Sequence, residues 1–155
     1  MENASKALLM AGGVLIGILI LSLATFLFIN FGSTSQDIYN QMEEDKLTQY
    51  NAQYTVYSGR DDITIYDIIS IANLAKENND YYKDYTDYES TYKVQVAFPE
   101  YQNLQEQDID KKQNLIGKYN TVDENGNLKV KFKCTNIKYH DSGGRVELIK
   151  FEKSV

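Results

Sequence analysis

The chain has 155 residues, enough for one domain of ordinary size with a short appendage. Its 22 acidic against 16 basic side chains leave a formal charge of −6, which excludes the cation-rich surface that nucleic-acid binding requires. A single Cys excludes an internal disulfide and any multi-Cys zinc site.

The apolar residues are concentrated at the start. From Ala7 to Phe31 no side chain is charged, and only Ser22, Thr25 and Asn30 are polar. A helix over this stretch rises about 37 Å, enough to cross a hydrocarbon core about 30 Å thick with some tilt. Residues 7–31 are therefore expected to be a single transmembrane helix. Lys6 precedes it, whereas Asp37, Glu43, Glu44 and Asp45 come before the next cation, Lys46. The excess of positive charge on the cytoplasmic side then places residues 1–6 inside and residues 32–155 outside. The alternative is a cleaved signal peptide ending near Ser22-Leu23-Ala24, but the apolar run outlasts the usual h-region of about 7–15 residues. Both readings export the rest of the chain.

Gly13 and Gly17 form a small-xxx-small pair, and Ala7 and Ala11 repeat that spacing. Such pairs let membrane helices approach closely, so these four are candidate packing positions for self-association or for other membrane helices. The competing reading is that Gly and Ala are simply common in membrane helices.

Gly32-Ser33-Thr34-Ser35 interrupts the apolar run, and Thr34 with Asp37 has capping-box spacing. An amphipathic continuation follows over about residues 35–57, carrying Ile38, Met42, Leu47, Tyr50, Tyr54 and Tyr57 and closing at Gly59. Thr64 and Asp67 open a further helix, with Ile63 and Ile68 as a hydrophobic staple and Ile65, Ile68, Ile69, Ala72 and Ala75 on one face. Its end is expected near Asn78-Asn79.

Residues 80–92 are rich in Tyr and charge. Tyr81, Tyr85, Tyr88 and Tyr92 are a candidate contact surface for an external protein or glycan, because Tyr offers a large rigid area at low entropic cost. The alternative is a surface loop whose rings lie along the core edge. Beyond it the period changes from 3.6 to 2. Tyr92, Val94, Val96 and Phe98 alternate with Lys93, Gln95 and Ala97, which predicts a half-buried strand ending at Pro99. Residues 104–115 are left open between helix and loop. Asp123-Glu124-Asn125-Gly126-Asn127 predicts a hairpin turn, and Leu128, Val130, Phe132 and Cys134 form the apolar side of the next strand, opposite Lys129, Lys131 and Lys133. Ile137 and Tyr139 break that parity, predicting a bulge near Thr135-Asn136. A turn at His140–Gly144 leads to a last strand through Val146, Leu148, Ile149 and Phe151. The expected class is α+β: a transmembrane helix continuing into an amphipathic helix, a second helix, then a small, mostly antiparallel sheet.

Little in this list supports catalysis. His140, Asp141 and Ser142 have the residue types of a triad, but consecutive residues in a Gly-rich turn do not point at one another in relay geometry. Cys134 reads as a small core hydrophobe with a raised thiol pKa. Asp123, Asn125 and Asn127 resemble the opening of a calcium loop, yet Gly126 stands fourth rather than sixth and a strand follows. Neither an enzyme activity nor a cofactor or metal is expected.

An apolar N-terminal helix, an amphipathic continuation and an antiparallel sheet are similar in layout to type IV pilins and pseudopilins. That resemblance implies a subunit whose apolar half-helix sits in the membrane and later packs in a filament core. Two departures stand against it: the short basic leader with a peptidase-recognised Gly is not clear, though Gly12-Gly13 could serve, and no Glu occupies the fifth position after either glycine. The segments MENASKALLMAGG and QYNAQYTVYSG also resemble uncharacterised small membrane-anchored proteins of Gram-positive bacteria. The sequence thus points to a bilayer-anchored structural or interaction protein, with a membrane-tethered ligand-binding or sensor module using the Tyr-rich surface as the alternative.

Overall fold

The structure is a computed structural model and describes residues 2–154. It has two compact units, one through Lys46 and one from Leu47.

The first unit lies entirely within helix α1, Glu2–Thr55. This helix is continuous where the sequence predicts an interruption: Gly32 to Ser35 are helical, and Thr34 does not cap a new helix. A mid-helix Gly costs about 1 kcal/mol, whereas a break requires a second, unfavourable helix nucleation, so two good helical stretches run together across it. The polar side chains here bond back onto the helix. Thr25 Oγ1 donates to Leu21 O at 2.8 Å, Asn30 Nδ2 to Phe26 O at 2.9 Å and Ser33 Oγ to Asn30 O at 3.0 Å. A segment in lipid needs this internal satisfaction of every polar group. The helix is long and apolar enough to cross a bilayer once, and the large apolar side chains of its uncharged run, from Leu8 to Phe31, are exposed.

The second unit contains the last turns of α1, then α2 (Ile65–Tyr82), a π-helical turn at Tyr88–Tyr92, β1 (Gln95–Ala97), a 3-10 turn at Leu104–Glu106, α3 (Ile109–Tyr119), β2 (Phe132–Tyr139) and β3 (Val146–Lys153). The class is α+β, as the order of periodicities implied. Helix α2 opens on the expected capping box. Asp67 N donates to Thr64 Oγ1 at 3.2 Å, and Thr64 N donates to Asp67 Oδ2 at 2.9 Å. The helix runs past the expected stop at Asn78-Asn79 to Tyr82.

The sheet has the order β1-β3-β2 and is mixed, with the antiparallel pair its larger part. β2 and β3 pair antiparallel, but β1 pairs parallel with β3, Val96 lying opposite Ile149. Alternation reveals which face of a strand is buried, not which neighbour it takes. The predicted bulge is present, because Cys134 faces Phe151 and Asn136 faces Lys150 with Thr135 left over. The strand expected from Leu128 begins only at Phe132, opposite Lys153 at the end of β3, and ahead of it Lys131 O accepts from Ser154 N at 2.8 Å. Leu128 instead bridges Val122 and closes the Asn-Gly turn, in which Gly126 has a φ of +80°. The open stretch 104–115 resolves into the 3-10 turn and α3.

The core lies between α2 and the sheet. Ile63, Ile65, Ile68 and Ala72 are buried with Val94, Val96, Ile149 and Phe151, and each buried Ile contributes about 1.5–3 kcal/mol relative to exposure. Phe98, Tyr119 and Phe132 pack together with ring centres 5.2–5.9 Å apart, tying α3 to the sheet.

Candidate functional site

Three side-chain amides bond the backbone of the strands or of the residues leading into them. Asn51, near the end of α1, donates Nδ2 to Gly144 O at 2.9 Å and accepts from Val146 N at 3.0 Å. Asn79, on α2, brackets Val94 in the same way, at 2.9 Å to its carbonyl and 2.8 Å from its amide. Gln105 Oε1 accepts from Val96 N at 2.9 Å. Of the three, Gln105 bonds within the three-residue edge strand β1, Asn79 bonds the residue before it, and Asn51 bonds the approach to β3. No local signal in the sequence marks these three, since Asn and Gln at such positions look like ordinary polar surface.

The tyrosines do not form the single stripe that their spacing suggests. Helix α2 ends at Tyr82, a bend follows, and the chain re-enters a helical turn only at Tyr88. The structure gathers Tyr81, Tyr85 and Tyr92 around Tyr82 and leaves Tyr88 apart. Tyr82 and Tyr92 stack with centres 4.2 Å apart and planes 5° apart, and Tyr85 meets both edge-on at 5.2 and 5.6 Å. Tyr81 lies 4.7 Å from Tyr82. Tyr81 and Tyr85 are exposed, whereas Tyr92 is half-buried. Tyr88 faces Lys93 at 5.9 Å, beside the Lys93–Glu89 ion pair.

The residue that organises the cluster is Arg145. Its guanidinium lies 4.1 Å from the Tyr50 ring centre and 4.9 Å from those of Tyr82 and Tyr92. It therefore joins the end of α1, the end of α2, the π-helical turn and the approach to β3. Asn78 adds a polar link, accepting from Tyr50 OH at 3.1 Å and donating to Tyr92 O at 2.7 Å. Beneath them the Tyr54 hydroxyl is buried without a partner. Burial, reinforced by the neighbouring Tyr50, pushes its pKa up.

His140 is nearly buried, and its Nε2 is 2.7 Å from Lys93 O. Its ring is thus engaged by backbone across the sheet end rather than by Asp141 or Ser142. Cys134 is half-buried against the core, and burial raises its thiol pKa. Asp123 Oδ1 accepts from Asn125 N and Asn127 N, each at 2.9 Å, which makes it the organiser of the hairpin turn. These backbone donors, that of Asn127 foremost, hold its carboxyl below the usual range. Among the described residues no cluster of His, Cys, Asp or Glu is placed to hold a metal ion.

On α1 the four candidate packing positions are helical, and a side chain added at Gly13 or Gly17 would meet nothing within 4 Å. At 3.6 residues per turn Ala7 and Ala11 lie about 120° around the helix from Gly13 and Gly17, so the two pairs are separate faces. Helical continuity past Gly32 connects the glycine face to a longer one. Gly13, Gly17, Ile20, Ala24, Leu27, Phe31, Thr34 and Ile38 follow alternating steps of four and three, the repeat of a coiled-coil seam. Ile20, Leu27, Phe31 and Ile38 along it are all more than half exposed.

No family model, curated protein or solved structure matches the chain.

Proposed function

We propose that this chain is a single-pass membrane-anchored structural or interaction subunit whose body, residues 47–155, stands outside the cell membrane. The observation that supports it is the seam on α1, which continues from Gly13 inside the apolar run to Ile38 beyond it. A helix that only anchors needs no apolar register past the bilayer. One that packs against copies of itself does, because van der Waals fit rather than hydrophobicity drives association in lipid and burial takes over outside it. Pilin-like assembly in a Gram-positive bacterium is the sharpest form of this reading, and it matches the layout of helix first and sheet last.

The test is photo-cross-linking of the full-length protein in its membrane from a probe at Ile38. Homo-oligomer bands that weaken strongly in Gly17→Ile are expected. A strict monomer with no adduct overturns the proposal. Protease accessibility of the body, before and after lysines are added beyond Phe31, tests the orientation. The mature N-terminus separates the fates of the helix: Met1 for an anchor, Val14 for a processed pilin, Thr25 for a secreted domain. A second reading, a tethered ligand-binding or sensor module, draws on the exposed Tyr81 and Tyr85, and screening the protein against glycans and peptides tests it.

A further inference from the structure

A cleft of about 290 Å³ opens where the C-terminal end of α2 meets the 3-10 turn and the π-helical turn. Its lining is charged with both signs: Lys76 and Lys83 from α2, Asp80 between them, and Glu106 from the 3-10 turn. None of these four belongs to an ion pair within 4.0 Å among the described residues. Lys76 and Asp80 stand four residues apart on one helix, the separation at which such pairs commonly meet, so their separation leaves both groups available.

The cleft is also lined by Gln105, which is 1% exposed. Its Oε1 is committed to Val96 N, but its buried Nε2 has no partner among the described residues. A buried donor left unmade costs about 1–3 kcal/mol, so an acceptor belongs against it. Lys112, outside the lining, donates to Asn73 Oδ1 at 2.9 Å and to the Gln105 backbone O at 3.5 Å. Burial raises the Tyr88 phenol, Lys93 opposes it, and Glu89, then Glu106 and Asp80 of the cleft, add to the rise.

We infer that this cleft binds a small zwitterion of the amino-acid or dipeptide class. The ligand carboxylate accepts from Gln105 Nε2 beside the α2 lysines, its ammonium lies toward Asp80 and Glu106, and Tyr88 forms an aromatic wall. Either charge alone would meet two groups of its own sign in the same lining, whereas a molecule carrying both satisfies all four. The volume is at the small end for ligand sites, which suits one or two residues and not a folded partner. This site is independent of assembly through α1 and of the Arg145 cluster.

The experiment follows the Gln105 side-chain amide by 15N NMR in the full chain in detergent micelles, titrated with glycylglycine, N-acetylglycylglycine and glycylglycinamide. Glycylglycine is expected to give a saturable shift, and capping either end to raise its midpoint by about tenfold or more, the loss of roughly one charged contact. Lys76→Gln and Glu106→Gln alter exposed side chains and leave the fold in place, and each is expected to raise the glycylglycine midpoint by a similar factor. No saturable shift, or equal shifts with all three compounds, overturns the inference.

Discussion

The Arg145 guanidinium lies over the face of the Tyr50 ring, 4.1 Å from its centre, across 95 positions of sequence. Tyr82 and Tyr92 flank the same cation at 4.9 Å each, so one side chain bridges four segments that have no strand pairing with one another. Partly desolvated contacts of this kind contribute from about 0.5 to 2 kcal/mol each.

Arg145→Gln is expected to destabilise the fold by about 2 kcal/mol, read as a lower urea midpoint, with a weakened near-ultraviolet tyrosine signal. Arg145→Lys should recover only a small part, because a compact ammonium cannot lie flat against three rings. Full recovery by Lys would show that charge alone matters there.

Asn79 makes both hydrogen bonds that Val94 offers outward. Asn79→Leu leaves a buried amide and a buried carbonyl without partners and is expected to cost about 2–4 kcal/mol in chemical denaturation. Thr64→Ala removes the cap of α2 and is expected to cost about 1 kcal/mol. The Thr64→Ala, Asp67→Ala double variant should lose less than the sum of the singles, since both belong to one reciprocal pair.

Two glycines predict opposite signs for one substitution. Gly32 lies within a helix with open space at its Cβ, so Gly32→Ala should raise helix stability by about 1 kcal/mol. Gly59 has a φ of +73°, so Gly59→Ala should destabilise by about 1 kcal/mol. Circular dichroism and thermal melts of the two variants read the contrast. A loss in Gly32→Ala would mean that the helix breaks there after all.

Lys112 sets an alkaline pH dependence. Burial first, then the nearby charge of Lys76, lowers its pKa below the ordinary value of 10.5. Between the lowered value and 10.5 the unfolded chain binds more protons at this site than the folded one, so stability rises with pH across that window. Below the lowered value the cost of the buried charge is fully present. The difference between wild-type and Lys112→Met stability curves should therefore slope upward toward pH 10.5 and be flat near neutrality. A flat difference throughout would contradict the burial of this cation.

Local signals were read correctly where a few neighbouring residues set the outcome. The uncharged run from Ala7 to Phe31, the Thr64–Asp67 box, the Asn125-Gly126 turn and the Thr135 bulge follow from hydropathy, side-chain reach, allowed φ and parity of burial. Gly32 marks the limit of such signals, since residue preference alone predicts an interruption where the cost of starting a second helix keeps α1 continuous. The sequence by itself therefore determined an apolar helix long enough to span a bilayer, an acidic α+β body and most of the buried faces. Tertiary structure alone decided that β1 lies parallel beside the last strand, that Asn51, Asn79 and Gln105 bond the strands or the residues leading into them, and that Arg145 sits among Tyr50, Tyr82 and Tyr92. Periodicity reports which face is apolar. It carries no information on which distant segment meets that face, because that choice is made by the packing of the whole core.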